Sequence, residues 1–226
     1  MSNPERPVIY RYTPGERITH WGLALGFVLA GLSGYAFFHP ALYWMSALTG
    51  GGTWSRILHP FFGIFMLVTF VLLAWWVRLD NRMDDLDWAW LRHMNKIVYN
   101  KEEGVPEVGR YNAGQKMLYV ALSLCMAGLL ISGLLMWRSV LSTYFPISVV
   151  RWASLLHALF AFGLMLLVIV HVYSSFWIKG SIDAMLRGTV SPGWAYRHHR
   201  RWYRKQLSGQ DPHGHAPAHD QAARRP

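Results

Sequence analysis

The sequence predicts an all-α fold, an integral membrane four-helix bundle, and three observations carry that prediction. Four stretches contain no Lys, Arg, Asp or Glu: Ile18–Phe38, Ile57–Val77, Met117–Trp137 and Trp152–Ile178. The basic residues gather in alternate connections between these stretches. Histidines recur inside the stretches at positions that match one another in depth. Only 15% of the 226 residues are charged, against roughly 25% in an ordinary soluble domain.

Each stretch has about 20 residues or more, enough at ~1.5 Å per residue to cross a ~30 Å hydrocarbon layer. Residues 1–17 precede the first span as a polar segment with Arg6, Arg11 and Arg17. No small-x-small cleavage site follows the first run, so the first helix is expected to stay in the protein. The domain 18–178 holds the four spans, and 179–226 forms a basic tail. Connections 39–56 and 138–151 carry only Arg56, Arg138 and Arg151. The 78–116 connection carries Arg78, Arg82, Arg92, Lys96, Lys101, Arg110 and Lys116, and the tail is similarly basic up to Lys205. The positive-inside rule then puts both termini and the 78–116 loop in the cytoplasm of a bacterial inner membrane. Trp21, Trp44, Trp54, Trp75, Trp76, Trp137, Trp152 and Trp177 sit near span ends, where interfacial anchors belong.

The formal net charge of +10 does not mark a nucleic-acid protein, because that requires a basic face on a soluble fold. Cationic groups flanking apolar runs point to membrane lipid instead. Cys125 is alone, which excludes an intrachain disulfide and a Cys-x-x-Cys-His attachment. In the tail, "SPGWAYRHHRRWYRK" reads as a basic aromatic strip lying on an anionic leaflet. Beyond about residue 207 the composition reads as disordered, with His213, His215 and His219 either solvated or a stray metal site. His93, His198 and His199 read as surface residues of polar segments.

Glycines recur in the spans, among them Gly26, Gly31, Gly34, Gly63, Gly128, Gly133 and Gly163. Close helix packing explains them, and so does clearance for a flat ligand. Pro60 lacks an N–H and is expected in the first turn of the second span or at a kink. His39, before Pro40, reads as a turn residue or as a competitor to His59 for a ligand role.

An ionisable group at membrane depth is costly and marks function by default. Four of the eleven histidines lie in or at the spans: His20, His59, His157 and His171. With the spans alternating in direction, His59 and His157 fall near the outer end, and His20 and His171 near the inner end. Fourteen residues separate His157 from His171. That interval climbs about 21 Å and completes four turns less about 40°, so one helix offers both rings from nearly one face. Zinc would want four ligands, usually with Cys or carboxylate among them. Haem iron takes two axial imidazoles, and its porphyrin suits an apolar pocket. Two non-covalent, bis-histidine b-type haems stacked across the bilayer satisfy all four residues.

The motifs "RYTPGERITHW", "RILHPFFGIF", "VGRYNAGQKMLY", "YFPISVVRWASLLHALF", "HVYSSFWIKGSI" and "HHRRWYR" together resemble the cytochrome b (gamma) subunit of membrane-bound respiratory formate dehydrogenase. The likeness runs through about residue 205. Cytochrome b subunits of nickel–iron hydrogenases share the four-helix plan without "YNAGQK" or "HPFFG". The resemblance implies an electron-transfer subunit that does not itself oxidise formate. Its partners would be an iron–sulfur beta subunit on the outer face and a molybdenum or tungsten catalytic alpha subunit. It implies His59 and His157 as ligands of the outer haem and His20 and His171 as ligands of the inner haem. It further implies quinone reduction beside the inner haem, with Asn112, Gln115 and His171 at the quinone. From the residues alone, Asn112 is equally a helix cap. The competing functions are a hydrogenase cytochrome b, a histidine-relay transporter and a haem-free membrane anchor, and reduced b-type absorbance separates the last two from the rest.

Overall fold

The structure is a computed structural model that describes residues 7–99 and 103–209. The tail histidines His213, His215 and His219, and most of the segment read as disordered, lie outside the described residues. Four helices are long and apolar enough to cross a membrane: α1 (Pro14–Phe38), α2 (Gly52–Val77), α5 (Ala113–Met136) and α6 (Ile147–Trp177). Between α2 and α5 stand α3 (Asp85–Arg92) and α4 (Met94–Val98). After α6 come α7 (Ser181–Arg187), α8 (Pro192–His198) and α9 (Arg200–Leu207).

The long helices start several residues before the uncharged runs do. Charge marks where a helix leaves the hydrocarbon, whereas capping marks where it begins. Thr13 and Glu16 form a capping box at α1: Glu16 Oε2 accepts from the Thr13 N–H at 2.8 Å, and Thr13 Oγ1 accepts from the Glu16 N–H at 3.2 Å. Pro14 takes the first helical position, where its missing N–H costs nothing. Pro146 precedes α6, which therefore opens at Ile147 and carries Arg151 inside the helix. Helix α2 opens at Gly52 behind Gly50 and Gly51, both with φ near +90°, a turn that only glycine enters freely. Pro60 thus lies in the interior of α2 and not in its first turn. Its missing N–H leaves the Arg56 carbonyl without an i+4 partner one turn before His59. In the connection after α1, Pro40–Thr49 winds as a 3-10 helix, and His39 Nδ1 caps it by accepting from the Ala41 N–H at 3.2 Å.

The described residues form two compact units. The first comprises Ile18–Trp76 and Val120–Tyr173. Its core is Met66, Met126 and Leu164, all buried, with Leu23, Phe27, Ala30, Leu67, Phe70, Leu122, Cys125 and Leu129 packed around them. Its outer faces expose large apolar side chains such as Leu25, Val68, Leu124 and Ile169, as a surface solvated by lipid tails requires.

The second unit comprises the described parts of Met1–Arg17, Val77–Tyr119 and Ser174–Pro226. Strands β1 (Ile9–Tyr10) and β2 (Thr189–Val190) pair antiparallel, with Ile9 opposite Val190. Ile9, Ala184, Val190, Ala195 and Trp202 make a small apolar core. The segment read from the sequence as a strip lying on the leaflet folds into α8 and α9, and Trp202 is a core residue. His199, read as a surface residue, is only 5% exposed. Its Nδ1–H donates to the Gly109 carbonyl at 2.8 Å, and its Nε2 accepts from Arg11 at 3.1 Å. Burial first, and the Arg11 charge second, push its pKa well below the ordinary 6.5.

The same unit buries charges that the sequence reading treated as surface cations. Arg110 donates to Asp80 at 2.9 Å, to Glu16 at 3.0 Å and to the Arg11 carbonyl at 2.6 Å. Lys116 pairs with Asp87 at 2.5 Å and donates to the Arg82 carbonyl at 2.8 Å. Glu16 and Asp87 are also the reciprocating members of the capping boxes that start α1 and α3. The helix starts and the ion pairs are therefore one construction.

Candidate functional site

Two pairs of histidines converge in the four-helix unit. The rings of His59 (α2) and His157 (α6) lie 6.2 Å apart between centroids, and those of His20 (α1) and His171 (α6) lie 6.1 Å apart. An imidazole–metal bond of about 2.0 Å, on each side of one atom, places two ring centres about 6 Å apart. The planes of His59 and His157 are inclined at 75° and those of His20 and His171 at 55°, so neither pair is stacked face to face.

The His59–His157 pair is built symmetrically. His59 Nδ1 lies 2.9 Å from Ser33 Oγ, and His157 Nδ1 lies 3.0 Å from Ser132 Oγ. Ser33 and Ser132 are followed by Gly34 and Gly133. A Cβ at Gly34 would come within 3.0 Å of His59 Cε1, and one at Gly133 within 3.2 Å of His157 Cε1. These two glycines let α1 and α5 approach an imidazole edge-on. Gly26 meets the backbone of Met66, so its role is helix packing. Gly63 stands one turn beyond His59 on the same side of α2, and a Cβ there would meet nothing within 4 Å. Close packing accounts for Gly26 against Met66, and for Gly34 and Gly133 against the two imidazoles.

On the His20–His171 pair, His20 Nδ1 is buried and has no hydrogen-bond partner among the described residues. Leu164 lies seven residues from each histidine of α6, about 10 Å along the axis either way. The Met66–Met126–Leu164 core therefore fills the bundle midway between the two pairs.

A metal bound at either pair would have two protein donors. Among the described residues no three His, Cys, Asp or Glu side chains gather at one point. The remaining coordination would come from the ligand itself, as a porphyrin's four nitrogens supply it. Paired imidazoles with ring centres 6.1 and 6.2 Å apart in an apolar surround fit a haem.

Asn112 and Gln115 lie in the other unit, at the start of α5. Asn112 Oδ1 accepts from the Gln115 N–H at 2.8 Å, and Gln115 Oε1 accepts from the Asn112 N–H at 2.9 Å. Both side chains are thus a capping box, and what each retains for a ligand is its amide NH2. Sequence reasoning passed over Ser33 and Ser132. The signal was present as a Ser-Gly dipeptide in two spans, "LSGY" and "ISGL".

Four bilayer-length helices that bring imidazoles together in pairs among apolar side chains are the arrangement that a membrane b-type cytochrome would use. The comparisons with known proteins agree. Residues 11–188 match the family described as prokaryotic cytochrome b561. The formate dehydrogenase cytochrome b556(fdo) subunit of Escherichia coli K12 is 42% identical over 203 residues, 88% of this chain and 94% of that one. The formate dehydrogenase cytochrome b556 subunit of Haemophilus influenzae is 40% identical over 209 residues, 92% of this chain and 86% of that one. The nitrate-inducible cytochrome b556(Fdn) subunit of E. coli K12 is 41% identical over 192 residues, 84% of this chain and 88% of that one. The chain belongs to the prokaryotic cytochrome b561 family and, within it, to the formate dehydrogenase cytochrome b556 subunits. It is a multi-pass membrane protein.

Proposed function

We propose that the chain is the di-haem cytochrome b subunit of a formate dehydrogenase. It passes electrons from an iron–sulfur subunit at the outer face of the bacterial inner membrane to quinone near the cytoplasmic face. The observation that carries this reading is the pair of imidazole pairs, whose ring centres lie 6.1 and 6.2 Å apart, a separation that accommodates one metal atom between two ring nitrogens. His59 and His157 hold the outer haem, and His20 and His171 hold the inner one. Bound in this way, a b-type haem supplies a one-electron redox centre.

The rest is work of the chain's own side chains. Helix α6 contributes one imidazole to each pair and holds the two about 21 Å apart along its axis. Met66, Met126 and Leu164 exclude water from the bundle between them. Both termini and the 78–116 segment face the cytoplasm, on the strength of their Arg and Lys content. The quinone assignment to Asn112, Gln115 and His171 rests on the family resemblance, and the free amide NH2 groups of the capping box are suitable donors to a quinone carbonyl. Formate is oxidised by a molybdenum or tungsten subunit, which the iron–sulfur subunit links to this chain.

Haem quantitation on the purified complex tests the reading. His59→Ala or His157→Ala removes one haem per chain, and His20→Ala or His171→Ala removes the other. Haem content unchanged by all four substitutions overturns the ligand assignment. Co-purification with a molybdenum- or tungsten-containing formate-oxidising subunit tests the complex, and a nickel–iron partner in its place refutes that part.

A further inference from the structure

The two serines at the His59–His157 pair each stand between a backbone carbonyl and an imidazole nitrogen. Ser33 is fully buried, with its Oγ 2.8 Å from the Leu29 carbonyl and 2.9 Å from His59 Nδ1. Ser132 Oγ lies 2.5 Å from the Gly128 carbonyl and 3.0 Å from His157 Nδ1. A carbonyl oxygen only accepts, and a hydroxyl that gives its single proton there keeps its own oxygen as an acceptor. The serine oxygen then accepts from Nδ1–H, which leaves the lone pair of each imidazole on Nε2.

The arrangement is duplicated on separate helices. Helix α1 presents Ser33-Gly34 to a histidine of α2, and α5 presents Ser132-Gly133 to a histidine of α6. In both, the glycine removes the Cβ that would crowd the ring carbon next to Nδ1. On the other pair, His20 Nδ1 has no partner among the described residues.

We propose that Ser33 and Ser132 are paired positioning residues, which fix Nε2 as the free donor on both His59 and His157 and make both rings stronger electron donors to the haem of that pair. The inference rests on the proposed ligation by these histidines. An imidazole whose N–H is held by an acceptor is the more basic ligand, and a more basic axial ligand favours oxidised iron. The two haems are accordingly unequal, and the serines lower the potential of one.

The test uses the purified complex carrying Ser33→Ala, Ser132→Ala, both together, and Thr69→Ala as a control. Thr69 Oγ1 bonds the Phe65 and Met66 carbonyls, so this hydroxyl makes the same back-bond within its helix without a hydrogen bond to an imidazole. Haem content, redox potentiometry and the low-spin ferric electron paramagnetic resonance signals are measured on each. The expected result is two haems per chain throughout. The same one of the two midpoint potentials rises in each serine variant and rises further in the double variant. Only that haem's resonance shifts, and Thr69→Ala moves neither. The two serines give independent readings should one variant fail to assemble. Potentials that stay in place in the serine variants, or that move together at both haems, overturn the inference. If His59→Ala and His157→Ala still cost one haem each in that case, the ligand assignment stands and only the role of the serines falls. A wild-type complex without haem in this chain removes both.

Discussion

Replacing Arg110 by Met should loosen the unit built from the chain's two ends and its middle segment. Arg110 joins Glu16 and Asp80, and it donates to the Arg11 carbonyl. The side chains of Arg110 and Glu16 are only 3% and 4% exposed, so solvent does little to screen the pair. Removing one partner of such a buried pair costs ~3–5 kcal/mol, because the other charge is left unpaired away from water. At ~1.4 kcal/mol per decade, a loss near 4 kcal/mol corresponds to roughly a thousandfold change in a local opening equilibrium. Hydrogen exchange of the Arg11 and Tyr12 amides, which both donate to the Gly188 carbonyl, reports that opening. Arg110→Met should speed their exchange by about that factor. Adding Glu16→Gln and Asp80→Asn should restore most of the protection, since neutral groups carry no unpaired charge. Exchange in the single variant within about tenfold of wild type, or no recovery in the triple variant, refutes the reasoning.

Other outcomes follow from the same geometry. His199 is neutral in the fold and takes up its proton near pH 6.5 once unfolded, so the unfolded state binds more protons below that value. Stability of that unit should be level above about pH 6.5 and fall as the pH drops below it; the slope, followed by proteolysis or hydrogen exchange, should vanish in His199→Gln. Leu164→Ala, in the core between the histidine pairs, should cost about 3 kcal/mol in thermal unfolding and leave haem content unchanged. Gln115→Glu keeps the oxygen that caps α5 and removes the NH2. If that NH2 binds quinone, the Michaelis constant for quinone should rise about five- to tenfold without loss of fold, whereas Gln115→Ala should also weaken the helix start by about 1 kcal/mol.

The membrane helices were legible in the sequence because hydrocarbon imposes a length and forbids charge along it, and both are local properties of a run such as Ile57–Val77. Their true starts at Gly52 and Ile147 were less legible. Helix ends answer to glycine, proline and capping residues, not to hydropathy. The spacing of His157 and His171 told which face of α6 carries both rings, since helical periodicity is a property of the backbone alone.

What the sequence by itself determined is therefore what one element settles within itself: four spans, their polarity of charge, and two imidazoles on one face of the fourth span. Tertiary structure alone decided which atoms meet. Ser33 and His59 are 26 positions apart, and Arg11 and His199 are 188. No local pattern records that Arg110 is buried with Glu16 and Asp80, or that Trp202 is core while its basic neighbours are not. A hydrogen bond or buried ion pair forms between groups that separate segments carry to one place, and its cost and direction depend on the surroundings found there.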